Sequence, residues 1–313
     1  MGYSLVRFRE PGRPQARAGL LVDGRIYCLS LAIADIIGDW ERFGPQLEEM
    51  AARADGTGVA FEAAEILAPV EPRQVIQAGA NYRKHVIDLV AAHRKPDDPR
   101  SEEQVRHDAA AMMDERASKG IPYFFLGLPT VISGPHDELV LPSYSKAHDW
   151  ELELAAVIGK EAFRVTPEEA LEHVFGYTMV NDITTRDLVF RKDMPEIGTD
   201  WFRAKNAPGF LPTGPMLLPA RFFGDPQDAE LTLKLNGQVM QKESTADMIF
   251  SVAQLVSHAS QTAPLLPGDL VLTGSPAGNG AHWGRLLRDG DVMEATITGL
   301  GTQITRCRDE VRP

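Results

Sequence analysis

The stretch His148–Gly159 reads HDWELELAAVIG, and its alternation decides the fold. In an extended chain, alternate side chains share a face and residues two apart lie about 6.5–7 Å from one another. Glu151 and Glu153 then point to one side, and Leu152 and Leu154 to the other. A strand with one wet face would stay polar at positions 155 and 157. Ala155 and Val157 stand there instead, so the acidic face runs directly into packed protein. Two ionised carboxylates at the edge of a core repel one another unless a partner lies between them. Spacing alone leaves two readings open, a half-buried strand with a wet end and a cation site.

Downstream, Gly176–Asp187 reads GYTMVNDITTRD. Tyr177 to Val180 has the character of a buried strand, and Asn181-Asp182 follows at its end. Asp182 is either a cap for the next turn or a third oxygen donor. Three carboxylates with no cysteine and no close histidine pair suit a hard cation, Mg²⁺, Mn²⁺ or Ca²⁺, rather than zinc. Such ligation leaves positions open for water and substrate.

The remaining sequence frames that segment. At 313 residues, 43% hydrophobic and 24% charged, the chain has the size and composition of one large domain plus a smaller appendage. No apolar run approaches the ~20 residues of a membrane span, and the N-terminus lacks the apolar stretch of a signal peptide. A net charge of −12 argues against nucleic acid, which needs a positive field. Cys28 and Cys307 are far apart and outside any metal-binding spacing, which reads as reduced thiols in a cytoplasmic protein.

Residues 1–70 read as a small α+β unit. GLLVDGRIYCL is a hairpin turning at Asp23-Gly24, and WERFGPQLEEMAARADG is a helix ending before Gly56. Pro69 and Pro72 mark a junction, after which residues 71–313 form the larger domain. Within it, residues 86–121 are charged, helix-prone and broken by Pro96 and Pro99, with few evident core positions. This is the pattern of a helical lid. Beyond residue 122, short strands dominate. Hairpins are expected at Asn236-Gly237 and around Gly299 to Gly301, and an amphipathic helix within DMIFSVAQLVSHASQT.

Five segments in order, GANYRKHVIDL, DWELELAAVIGK, GYTMVNDITTRDL, KNAPGFLPTGP and LPGDLVLTGSPAGNG, make residues 73–308 resemble the fumarylacetoacetate hydrolase family. The resemblance implies an α+β, mainly β fold, a mixed β-sandwich or roll preceded by a small N-terminal domain, and a homodimer. It implies Mg²⁺ or Mn²⁺, with Ca²⁺ possible in a crystal, on Glu151, Glu153 and Asp182. The implied substrates are small oxo acids. The leading expectation is hydrolysis of a C–C bond in an acylpyruvate-like 2,4-diketo acid, in aromatic or sugar-acid catabolism. The alternatives are a decarboxylase, isomerase or hydratase of a related 2-oxo acid, and a non-catalytic oxo-acid binder.

On these residues the ion would chelate the carboxylate and adjacent carbonyl oxygens of the acid. His85 would take a proton from water, and Asp88, three residues on and on the same face if the segment is helical, would orient the imidazole. Lys205 would act in catalysis and, with Arg186, Thr273 and Tyr82, would hold the substrate. LTGSPAGNG is neither a P-loop nor a nucleophile elbow. Three departures stand out: Gly127 where many members carry Lys, Val189 where relatives carry Gln, and Asp88 where Glu is common. They favour a larger or less polar substrate.

Overall fold

The computed structural model describes residues 2–92, 94 and 97–311, so Pro96 lies outside the described residues. Its centre is a six-stranded mixed sheet. The order is Leu218–Pro219, Val174–Asn181, Leu152–Ile158, Leu270–Leu272, Val75–Gly79 and Tyr123–Gly127. Only the pairing of Leu270–Leu272 with Val75–Gly79 is parallel.

The strand Leu152–Ile158 is buried along its whole length, for two different reasons. Leu152, Leu154, Ala156 and Ile158 face a core shared with Leu231 and Leu233 of a second sheet and with Val252, Leu255 and Val256 of the helix Val252–Thr262. Ala155 and Val157, on the opposite face, join a core containing Leu5, Leu20, Ile36 and Ile37 from the N-terminal residues. The N-terminal sheet therefore covers the far end of the glutamate face, which is why that face turns apolar after Glu153. Full burial of a Leu, Ile or Val side chain contributes about 1.5–3 kcal/mol, so both faces anchor the strand.

The N-terminal sheet has five strands in the order Val59–Ala60, Arg25–Cys28, Arg17–Val22, Ser4–Arg9, Glu65–Leu67. Leu5 and Leu217 exchange backbone hydrogen bonds of 2.9 Å across its seam with the central sheet. Trp40 meets Phe175 edge-on there, with ring centroids 4.6 Å apart. The expected hairpin turns at Asp23-Gly24 and Asn236-Gly237 both have the left-handed backbone of a tight turn, with φ of 46° and 74°, and 51° and 84°.

The second five-stranded sheet runs Gln238–Ser244, Glu230–Leu235, Val292–Ile297, Thr302–Asp309, Leu139–Leu141. The helix Val252–Thr262 begins at a reciprocal cap. Ser251 accepts from the Gln254 backbone N–H, and the Gln254 side chain accepts from that of Ser251.

The charged segment forms two helices, Arg83–Ala92 and Glu102–Lys119, joined by the ion pairs Arg83–Asp114 and Arg106–Asp88. It contributes more to the core than its composition suggests. Val105, Ala109 and Met113 of the second helix are buried, because their i, i+4 spacing places them on one stripe. Among the described residues no helix is long and apolar enough to cross a membrane.

Candidate active site

Strand register assembles the acidic cluster. Leu152 pairs with Asn181, so Glu151 and Asp182 are the next residues along and lie opposite one another. The Asp182 N–H donates to the Glu151 carbonyl at 2.8 Å, and the Glu151 N–H donates to Asn181 Oδ1 at 2.9 Å. Glu153, one pleat further in, accepts from the Gly274 N–H at 2.8 Å. Carboxylate oxygens of Glu151, Glu153 and Asp182 all lie within 4.8 Å of one another. The expected three ligands thus converge, as an all-oxygen set suited to a hard divalent ion.

Two cations reach the cluster. Lys205 ends a short helix, Trp201–Lys205, which opens on the Asp200 cap. Its Nζ donates to Glu151 Oε2 and Asp182 Oδ2, each at 2.6 Å, and to the Asp182 carbonyl at 3.1 Å. Arg186 donates from Nε to Asp149 Oδ2 and from Nη2 to Glu151 Oε1, both at 2.7 Å. Among the described residues, the cations bonded to the group Asp149, Glu151, Glu153 and Asp182 are Lys205 and Arg186. Four acids against two cations leave an excess of two acids in a buried place.

Burial, together with that imbalance, governs the titration of the group. Burial alone would raise the Glu151 carboxyl, but Lys205 and Arg186 hold it down at about 2. Burial pushes Asp182 up to about 6 despite Lys205. Glu153 is driven well above the usual carboxylate range by burial and by the charge of Asp182, which Lys205 and the Gly274 N–H offset only in part.

A family model, Fumarylacetoacetate (FAA) hydrolase C-terminal, matches residues 74–308. The chain belongs to the fumarylacetoacetate hydrolase family. It is 43% identical over 185 residues to 2,4-didehydro-3-deoxy-L-rhamnonate hydrolase of Sphingomonas sp. (strain SKA58), a match spanning 58% of this chain and 63% of that protein. Over 187 residues it is 35% identical to the Homo sapiens protein oxaloacetate tautomerase FAHD2B, mitochondrial, covering 59% of this chain and 58% of that one. The crystal structure of a probable 2-hydroxyhepta-2,4-diene-1,7-dioate isomerase from Mycobacterium abscessus superposes with a TM-score of 0.75 at 30% identity, covering 99% of this chain and all of that one. The fold is the α+β fold of this family, whose members include hydrolases, tautomerases and isomerases acting on small molecules.

Other residues expected at a fumarylacetoacetate hydrolase site fall in different places. His85 lies within electrostatic reach of Glu151, Arg186, Asp88 and Asp149, and loss of solvent lowers its pKa, which favours the neutral imidazole. Asp88 has further partners on other elements. Its Oδ1 accepts from Arg106 Nη1 at 2.7 Å and its Oδ2 stands 3.9 Å from His282 Nδ1. Its carboxylate is thus engaged by the second helix, and no hydrogen bond joins it to His85 among the described residues.

The Thr273 hydroxyl donates to the Leu154 carbonyl at 2.9 Å, which joins the loop to the glutamate strand. The Tyr82 ring is fully buried, with its hydroxyl beside the Thr273 side chain. Burial, with the charge of Glu153 beside it, raises the phenol well above its ordinary pKa.

Two members of the cluster went unnoticed in the sequence. Asp149 precedes Glu151 by two and continues the same alternation, which was a usable signal. It anchors Arg186 and also accepts from the Trp150 and Ala281 N–H groups at 2.8 and 3.0 Å. Gln77 stands alone as a polar residue in the buried strand Val75–Gly79 and donates from Nε2 to Asp182 Oδ1 at 2.7 Å. A Cβ at Gly127 would meet Gln77 Oε1 at 3.0 Å, which sets that departure beside the acidic cluster. Val189 is buried, and its carbonyl accepts from the Asp200 N–H at the start of the Lys205 helix.

Proposed function

We propose that this protein is a divalent-metal-dependent enzyme that hydrolyses a C–C bond in an acylpyruvate-like 2,4-diketo acid. The observation that carries the reading is the cluster of Glu151, Glu153, Asp182 and Asp149, whose acids outnumber the cations Lys205 and Arg186 by two, an excess that Mg²⁺ or Mn²⁺ would neutralise. Glu151, Glu153 and Asp182 would hold the ion, and such an ion supplies Lewis-acid polarisation of an oxo acid's carbonyl. The Sphingomonas relative is named as a hydrolase of a 2,4-didehydro-3-deoxy sugar acid, which supports the substrate class.

The chain's own residues account for the remaining chemistry. Half-buried His85, whose pKa is lowered by loss of solvent, takes a proton from water at an unprotonated ring nitrogen. The water oxygen bonds to the distal acyl carbon, the C–C bond breaks, and its electron pair leaves with the pyruvate fragment as an enolate, which then takes up a proton. Lys205 and Arg186 keep positive charge beside the negative charge that develops. The helices Arg83–Ala92 and Glu102–Lys119 form a lid that carries His85. The free thiols Cys28 and Cys307 suit a reducing compartment such as the cytoplasm. A homodimer would cover the exposed Phe190, Ile197 and Phe202.

A second reading, tautomerisation or decarboxylation of a related oxo acid, is favoured by one observation. Arg106 engages Asp88, and no hydrogen bond joins Asp88 to His85 among the described residues. The purified protein with Mg²⁺, assayed on acylpyruvates and on oxaloacetate, separates the two. Release of pyruvate with a carboxylic acid supports hydrolysis. Turnover of oxaloacetate alone rejects it.

A further inference from the structure

Among the described residues, Gln77 Oε1 and Trp201 Nε1 are buried side-chain polar atoms with no hydrogen-bond partner in the protein. Both belong to residues around the acidic cluster. Gln77 bonds Asp182, and Trp201 precedes Lys205 by one helical turn. Buried polar groups are normally paired, so a concentration of unpaired ones at one place marks where a ligand supplies the missing partners.

Trp201 is the more informative of the two. Residues four apart on a helix share a face, and Lys205 Nζ lies 5.9 Å from the centroid of the Trp201 ring and 5.7 Å from that of Phe125. Trp201 and Phe125 stack with centroids 4.8 Å apart and planes 16° from parallel. Phe125 is the register partner of Gln77 across the sheet, so the stacked pair forms a wall continuous with Gln77 and Asp182. The indole carries one donor and no acceptor. Trp150 and Trp283, by contrast, both donate their indole N–H to the Gly278 carbonyl.

We propose that the Trp201 indole N–H donates a hydrogen bond to an anionic oxygen of the bound oxo acid, making Trp201 a substrate-binding residue that acts alongside Lys205. The apolar faces of Trp201 and Phe125 would then limit that end of the site to planar groups. This rests on the oxo-acid reading above.

The test uses the full chain labelled with ¹⁵N at its tryptophan indoles and titrated with oxalate in the presence of Mg²⁺. Trp201→Phe assigns the resonance and keeps the ring stacked on Phe125. The Trp201 N–H signal is expected to move downfield as oxalate binds, while those of Trp150 and Trp283 stay in place. Calorimetry is expected to give a roughly tenfold weaker oxalate Kd for Trp201→Phe with unchanged Mg²⁺ affinity, a change of ~1.4 kcal/mol. Oxalate binding with an unmoved Trp201 signal, or wild-type oxalate affinity in Trp201→Phe, overturns this proposal alone. A variant that loses Mg²⁺ affinity equally overturns it, because the ring would then be supporting the site rather than meeting the ligand. Failure of the wild-type protein to bind oxalate at all overturns the oxo-acid reading and this proposal with it.

Discussion

Asp291 and Glu153 are both buried acids, and the protein treats them in opposite ways. Asp291 receives two bonds from Arg285, at 2.6 and 2.7 Å, and further bonds of 2.8 Å from the Arg288 N–H and Asn236 Nδ2. Burial would raise its carboxyl, yet these partners hold it below the ordinary range. Among the described residues Glu153 accepts one hydrogen bond, from Gly274, and burial with two acidic neighbours drives it upward. A saturated acid serves architecture by fixing the turn before the strand Val292–Ile297. An under-neutralised one, held in place by a sheet on one side and a core on the other, would gain from a bound cation. Perturbed carboxyls of the second kind are the ones that mark functional sites.

The comparison is most directly broken by removing one acid from each place. Glu153→Gln or Asp182→Asn is expected to lower kcat/KM by ~10³ or more, about 4 kcal/mol of transition-state stabilisation. Thermal stabilisation by added Mg²⁺ should vanish with it. Wild-type turnover in either variant, or indifference to a chelator, would end the metal reading.

Asp291→Asn should do the reverse. It is expected to destabilise the fold by about 3 kcal/mol, because Arg285 loses its partner, and to leave the turnover of folded protein intact. Urea unfolding combined with active-site titration measures both. Lost activity at unchanged stability would place Asp291 in the site.

The smallest effect is the sharpest in sign. A carboxyl raised on folding, as Glu153 is, binds its proton more tightly in the native state. Its contribution to metal-free stability is therefore most favourable at acid pH and declines as pH rises from the unfolded value toward the folded one. A carboxyl lowered on folding, as Asp291 is, contributes stability above its unfolded value and loses it as pH falls through the folded one. Metal-free Glu153→Gln should therefore be more stable than wild type at pH 8, by about 1 kcal/mol or more, with the difference shrinking toward pH 4. Mg²⁺ should reverse the order. Parallel Tm curves across that range, with and without Mg²⁺, would contradict the charge imbalance inferred for the cluster.

Much of the site was legible because strand chemistry is local. Alternation alone put Glu151 and Glu153 on one side and should also have yielded Asp149. Turn residues with positive φ marked the hairpins at Asp23-Gly24 and Asn236-Gly237. The ordered motifs carried the family. What local pattern could not convey was partnership. Asp88 sits at helical spacing from His85 and is engaged by Arg106, 18 residues further along the chain. The Thr273 hydroxyl donates to the adjacent strand. Gln77 reaches Asp182 across 105 residues of sequence.

The sequence by itself determined which side chains this protein can present: three acids on two strand ends, a histidine on a helix, and a lysine four residues after a tryptophan. Tertiary structure decided how those charges are compensated. It packed the N-terminal sheet over Ala155 and Val157, sealing one end of the acidic face, and it inserted Lys205 and Arg186 at the other. The reason is physical: the facing of a side chain follows from backbone geometry over a few residues, whereas the energy of a buried charge depends on every group within several ångströms, and the folded chain draws those groups from all along its length.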